Sequence, residues 1–172
     1  MNQVSVWFER KFEFSFPLEL LPNLCARLRG TPARLEEALR DVPRGILVAK
    51  VPEKWSAQEH AGHLLDLEPL WIARVGDFTQ PGDQLTPADL TNRKTNEANH
   101  NDHPVEQILA AFRIERARLL QAVAALDAPA FTQSIPHPRL KTPMRLVAHL
   151  YFAAEHDDHH LAKIWELTHP EH

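Results

Sequence analysis

Four stretches of the chain carry apolar residues at intervals of three and four, and proline-bearing loops separate them. In a chain of 172 residues this pattern leaves room for a single domain of packed helices and for little else. From Pro17 onward, Leu18, Leu21, Leu24, Cys25 and Leu28 share one face. Gly30-Thr31-Pro32 interrupts, with Thr31 suited to a cap and Pro32 to a first helical position, and Leu35, Ala38 and Leu39 continue to about Arg40. This predicts one broken first helix. Residues 41–54 read as a loop. Ser56-Ala57-Gln58-Glu59 is a capping box that opens a second helix to about Asp77, with a kink expected at Pro69. A polar stretch, 79–103, leads to a third helix from near Pro104 to about Leu126. After a loop holding Pro129, Pro136 and Pro138, Thr142-Pro143 reads as the cap and first turn of a fourth helix reaching about Thr168. The expectation is an all-α four-helix bundle.

Residues 1–16 do not share this period. Val4, Val6, Phe8, Phe12, Phe14 and Phe16 have one parity, broken by Arg10. Period two predicts an extended arm or strand, more readily a segment laid across the helical body. Ile46-Leu47-Val48 is the other strand-like run, too short for a sheet of any size. The domain reading is therefore an arm, 1–16, and a bundle, 17–172.

Composition excludes several functions. At 44% apolar and 24% charged, the chain is ordinary globular material. No apolar run approaches a membrane span and no leader pattern opens the chain, which predicts a cytoplasmic protein without a membrane partner. A lone cysteine, Cys25, rules out an internal disulfide and Cys-rich zinc motifs. A formal charge of -4 without a basic block gives no reason to expect a nucleic-acid partner. Five glycines supply no phosphate-binding loop.

Eleven histidines are the unusual count. In the fourth helix, at about 100° per residue with His156 at zero, the apolar stripe lies between roughly 60° and 180°. His160 falls near 40°, one turn from His156, and His159 near 300°, on the charged side with Glu155 and Glu166. His156 and His160 are thus the pair that can converge inward, a common way for one helix to offer two imidazoles to a metal. His149 shares the bearing but stands about 10 Å further along, and is read as a hydrogen-bonded boundary residue. In the second helix His60 lies within the stripe and His63 on its edge, and periodicity does not choose between them. Asp157, near 100°, puts a carboxylate in the middle of an apolar stripe. It needs a partner there: a ligand histidine's second nitrogen, an arginine or a helix terminus.

At these residues the chain resembles the damage-inducible DinB-like proteins, including the YfiT type. Lys54-Trp55-Ser56 with Glu59 and Gly62-His63-Leu64 is similar to their second-helix signature, and Glu155-His156-Asp157-Asp158-His159-His160-Leu161-Ala162-Lys163-Ile164 to that of the fourth helix. Leu28-Arg29-Gly30-Thr31-Pro32 and Glu68-Pro69-Leu70-Trp71 also fit, and the resemblance spans roughly residues 17–168. It implies a four-helix bundle holding one divalent metal, zinc or nickel, through His63, His156 and His160. Three neutral histidines leave positions for water or substrate, as in catalytic zinc sites. The resemblance also implies metal-dependent hydrolysis, or transfer of low-molecular-weight thiols such as bacillithiol or mycothiol, on a small-molecule substrate. Members are often dimeric, and the apolar edge of the arm points to a homodimer as well.

Asp157, Asp66 and Glu59 are the nearest candidate bases in sequence. Glu59 is taken up by its capping role, Asp66 reads as facing solvent, and Asp157 reads as a structural tie, to the free nitrogen of His63 or to the start of the second helix, rather than as a base. Residues 91–103 read first as a solvated surface loop, with a polar rim over the site as the alternative. The alternative function is a non-catalytic metal-binding or stress-response module docking a partner through exposed arm aromatics, Trp7 and Phe8. A closed, dry site favours the module; a deep pocket ending at the metal favours the enzyme.

Overall fold

The computed structural model describes residues 3–169. Six helices longer than a single 3-10 turn occur among them: α1 (Leu21–Leu39), α2 (Arg44–Leu47), α3 (Ala57–Asp77), α4 (Arg93–Glu97), α5 (Val105–Ala124) and α6 (Leu146–Thr168). α1 and α3 each pack against both α5 and α6. α1 therefore stands diagonally from α3 and α5 diagonally from α6, while α3 faces α6 directly.

The first helix is continuous where a break was expected. Pro32 lies inside α1 and deprives the Leu28 carbonyl of its intrahelical donor; Arg116 of α5 supplies one instead, Nη1 to the Leu28 oxygen at 3.0 Å. Thr31 is not a cap: its hydroxyl donates to Asp157 at 2.8 Å. α3 runs through Pro69 and opens on the expected capping box, in which the Glu59 backbone N–H donates to Ser56 Oγ and the Ser56 N–H to Glu59. Thr142-Pro143 does not start the last helix. Pro143–Met144 pairs instead with Ile135–Pro136 as a short antiparallel ladder, and α6 begins at Leu146 without a side-chain cap. The Ile46-Leu47-Val48 run falls at the end of α2 rather than in a strand.

Among its described residues the arm forms no strand. It is extended on both sides of a 3-10 turn at Trp7–Glu9 and runs antiparallel along α6. Val4 N–H donates to Glu166, Arg10 Nη2 to Glu155 at 2.5 Å, and Arg145 to the Phe16 carbonyl. Arg10 breaks the parity because it reaches this carboxylate. The turn shifts the phase, so that Trp7 packs inward with Phe12, Phe14 and Phe16 while Phe8 is left exposed.

A polar layer divides the apolar core. One cluster gathers Leu24, Leu28, Trp71, Leu119 and Leu150; the other gathers Leu35, Leu64, Phe112 and Ile164. Between them, one from each long helix, lie Thr31, Glu68, Arg116 and Asp157, all with 1% exposure or less. Arg116 donates to Glu68 at 2.6 and 3.1 Å and to Asp157 at 2.6 and 3.1 Å. Burial, with the Asp157 charge adding to it, pushes the Glu68 carboxyl up to about 7 against the pull of Arg116.

Candidate metal centre

His63 leaves α3 towards α6, one turn along from His60. His156 and His160 leave α6 on one edge, one turn apart. The three rings are buried, and each offers a ligand atom within 4.8 Å of the others, a group that could hold a metal ion. His156 Nε2 lies 3.1 Å from His160 Nε2. Two nitrogens sharing one tetrahedral zinc at about 2.05 Å stand about 3.3 Å apart, so the donor set fits an ion. His156 Nδ1 is buried without a hydrogen-bond partner. Burial drives all three rings towards the neutral form that a metal needs, His63 to about 3 and the other two well below the usual imidazole value.

The second nitrogen of His63 is held by a relay. Thr95 Oγ1 lies 2.9 Å from Asp66 Oδ2 and 3.0 Å from His63 Nδ1. An ionised carboxylate only accepts, so the hydroxyl gives its proton to Asp66 and accepts from His63 Nδ1–H. That fixes the tautomer with the Nε2 lone pair free. Burial opposes ionisation of Asp66, but His100, Thr95 and Lys94 outweigh it and hold its pKa below the usual carboxylate value. His100 Nε2 reaches the same Asp66 oxygen at 2.8 Å, and its ring sits where a Cβ on Gly62 would be, 2.3 Å from that position. Glycine is required at position 62 for this close approach.

Residues 91–103 hold α4 and the turn after it, and of them only Asn92 lines the cavity described below. They pack onto the start of α3: Gln58 donates to the carbonyls of His100 and His103, and Ser56 Oγ to Asn101. Asp66 is buried here and does not face solvent. The other histidines have separate places. His60 Nδ1 lies 2.8 Å from His160 Nδ1, outside the three-ring group. His159 is half-buried, its ring 5.5 Å from that of Trp7. His149 is fully buried beside Trp71 and Phe78, inside the core rather than at its boundary.

Asp157 holds neither His63 nor the start of α3. Its partners are Arg116 and Thr31, and it does not line the cavity. Sequence reasoning passed over Arg116 and Glu68, although each interrupts an apolar stripe as Asp157 does: Arg116 between Phe112 and Leu119, Glu68 between Leu64 and Trp71. Three charges at stripe positions on three helices are the signal that could have paired them.

His63, His156 and His160 form part of the wall of a cavity of about 760 Å³, shared with His60, Trp71 and Phe152. Trp7 of the arm closes over it, its ring edge-on to His156 at 5.0 Å. Of the two aromatics expected as an exposed docking face, only Phe8 is exposed.

The fold has a known counterpart: YfiT from Bacillus subtilis, described as a probable metal-dependent hydrolase with an unusual four-helix bundle topology, superimposes with a TM-score of 0.77 at 21% identity, over 94% of this chain and 93% of that one. No curated protein matches the sequence. The model of the DinB superfamily matches residues 27–164, most of the bundle and both histidine-bearing helices. The chain belongs to the DinB superfamily.

Proposed function

We propose that this chain is a metal-dependent enzyme, a hydrolase or a low-molecular-weight-thiol S-transferase, acting on a small molecule in the cavity with one divalent ion, zinc or nickel, held by His63, His156 and His160. The observation that carries the proposal is the opening of three buried, neutral imidazoles onto a cavity of the size that takes small ligands. A bound divalent ion supplies Lewis acidity that makes water or a thiol nucleophilic at neutral pH.

The protein's own part is to fix and shield that site. Thr95 and Asp66 set the tautomer and direction of His63. Trp7, Trp71 and Phe152 keep the approach apolar, which strengthens charge interactions inside. Glu59, Asp66 and Asp157 are engaged elsewhere and absent from the cavity wall, whereas His60 and His159 lie on it. Glu9 and Asp89 also line the cavity, Asp89 accepting from Thr91 and Arg93, and proton transfer beside the three rings is assigned to His60, His159 or solvent.

An open cavity favours the enzyme over a non-catalytic module, and the inward turn of Trp7 removes half of the docking face that the module would use. A homodimer belongs to the same proposal. The deciding experiment is metal analysis of the purified protein, followed by ester, amide and thiol-conjugation assays with zinc and with nickel. Turnover that depends on the metal and is lost in His156→Ala supports the enzyme; a metal-loaded protein inert across the panel supports the module.

A further inference from the structure

We propose that the far end of the cavity is a carboxylate-binding site formed by Arg74, Arg139 and His137, which makes the substrate class a small molecule with an apolar body and one terminal anion. The inference rests on the enzyme reading only for what happens at the other end of that molecule.

Arg74, on α3, is 1% exposed and has no ion pair among the described residues. A buried guanidinium without a counter-charge is costly, and here burial lowers its pKa to about 10. Its Nε donates to the Thr86 carbonyl at 2.8 Å and its Nη1 stands 3.2 Å from His137 Nε2, while Nη2 makes no hydrogen bond among the described residues. Arg139, on the loop after the first strand, is a second cation without an ion pair there, and its Nη2 is buried with no partner. All three side chains line the cavity.

His137 shows what is missing. Its Nδ1 lies 3.2 Å from the backbone N–H groups of both Arg139 and Leu140, so Nδ1 accepts. Burial, and then the two arginines, hold the ring neutral, with a pKa of about 3. The single ring proton is then on Nε2, which faces the Arg74 N–H, donor against donor. Arg74, Arg139 and His137 thus present N–H groups without an acceptor between them.

The charge count selects the ligand. Asp77 is the carboxylate that acts on Arg74, but its two oxygens accept from the Thr86 N–H and hydroxyl. Two guanidinium charges and one nearby carboxylate leave about one positive charge to compensate, which suits a carboxylate better than a dianion. The path from this site to the histidines is aromatic. The Trp71 ring lies 5.5 Å from the Arg74 guanidinium and 5.6 Å from the His156 ring, and the Phe152 ring stands 5.2 Å from His137.

Calorimetric titration of the full chain with 4-phenylbutanoate and with its uncharged amide, both metal-stripped and zinc-loaded, tests the site. The acid is expected to bind at least tenfold tighter than the amide in both states. Arg139→Gln, on a loop and checked for folding by circular dichroism, is expected to weaken the acid at least tenfold while leaving the amide and the zinc content unchanged. Arg74→Gln should repeat this. Equal affinity for acid and amide, no binding of the acid, or binding of the acid that needs zinc and ignores Arg139→Gln would each overturn the site. Preferential, Arg139-dependent binding in a chain that takes up no metal would uphold the anion site and overturn the metal-enzyme reading instead.

Discussion

Arg116 and Asp157 face each other at the centre of the bundle through two hydrogen bonds, 2.6 and 3.1 Å long, with neither side chain more than 1% exposed. The same guanidinium reaches Glu68 on α3 and the Leu28 carbonyl freed by Pro32 on α1, so one arginine connects all four long helices. Asp157 directly follows His156 in sequence, and its tie fixes the rotation of α6 that points His156 and His160 at His63.

Breaking one side of this buried network leaves an uncompensated charge. Arg116→Met and Asp157→Ala should each cost about 3–5 kcal/mol in urea unfolding. Asp158→Ala removes half-exposed pairs with Arg27 and Arg34 and should cost at most about 1 kcal/mol. Similar losses at Asp157 and Asp158 would contradict the assignment.

Metal content separates the histidines. One divalent ion per chain is expected by elemental analysis, lost in His156→Ala and retained in His159→Ala. Equal loss in both would mean that the ligand group is different.

The relay behind His63 gives a graded effect. Thr95→Val and Asp66→Asn should weaken metal binding about 10- to 100-fold in competition with a chromophoric chelator, with helical content preserved. Gly62→Ala should do the same through His100, because its methyl group takes the place of the His100 ring that holds Asp66. Unchanged affinity in all three would show that the relay does not direct His63.

Acid should destabilise the metal-stripped protein early. His60 is held at about 4, His63, His137 and His149 at about 3, and His156 and His160 well below the usual value, in each case chiefly by burial. These rings stay neutral in the folded chain and take up protons near pH 6.5 when unfolded. Their contribution is thus complete above that pH and is lost as pH falls towards 3–4. Each unmatched proton is worth about 1.4 kcal/mol per pH unit. Glu68, raised to about 7, acts in the opposite direction between pH 7 and 4.5, with a single proton. The urea midpoint should therefore fall steadily from pH 7 to pH 5; a flat profile would contradict the buried neutral cluster.

Deleting residues 1–15 uncovers Phe152 and His156 and removes the Arg10–Glu155 pair. The thermal midpoint should drop by at least about 5 °C. Light scattering on the intact and shortened chains tests the proposed homodimer, which a monomeric intact chain at micromolar concentration would end.

The sequence by itself determined the four helices, the common edge of His156 and His160, and the anomaly at Asp157, because each is a matter of angle about one helix axis. Its local signals misplaced the Pro32 break and the Thr142-Pro143 cap. A proline tolerated within a helix needs a donor from elsewhere for the freed carbonyl, and Arg116 is 84 positions beyond Pro32. Tertiary structure decided which helices are neighbours: α3 stands against α6 and diagonally from α1. It thereby brought His63 rather than His60 into the three-ring group, gave Asp157 an arginine instead of His63, and buried Thr95, Asp66 and His100 behind the site. Period and bearing describe where a side chain leaves its own helix; they carry no information about which helix stands opposite, and a ligand set or a buried ion pair exists only between helices.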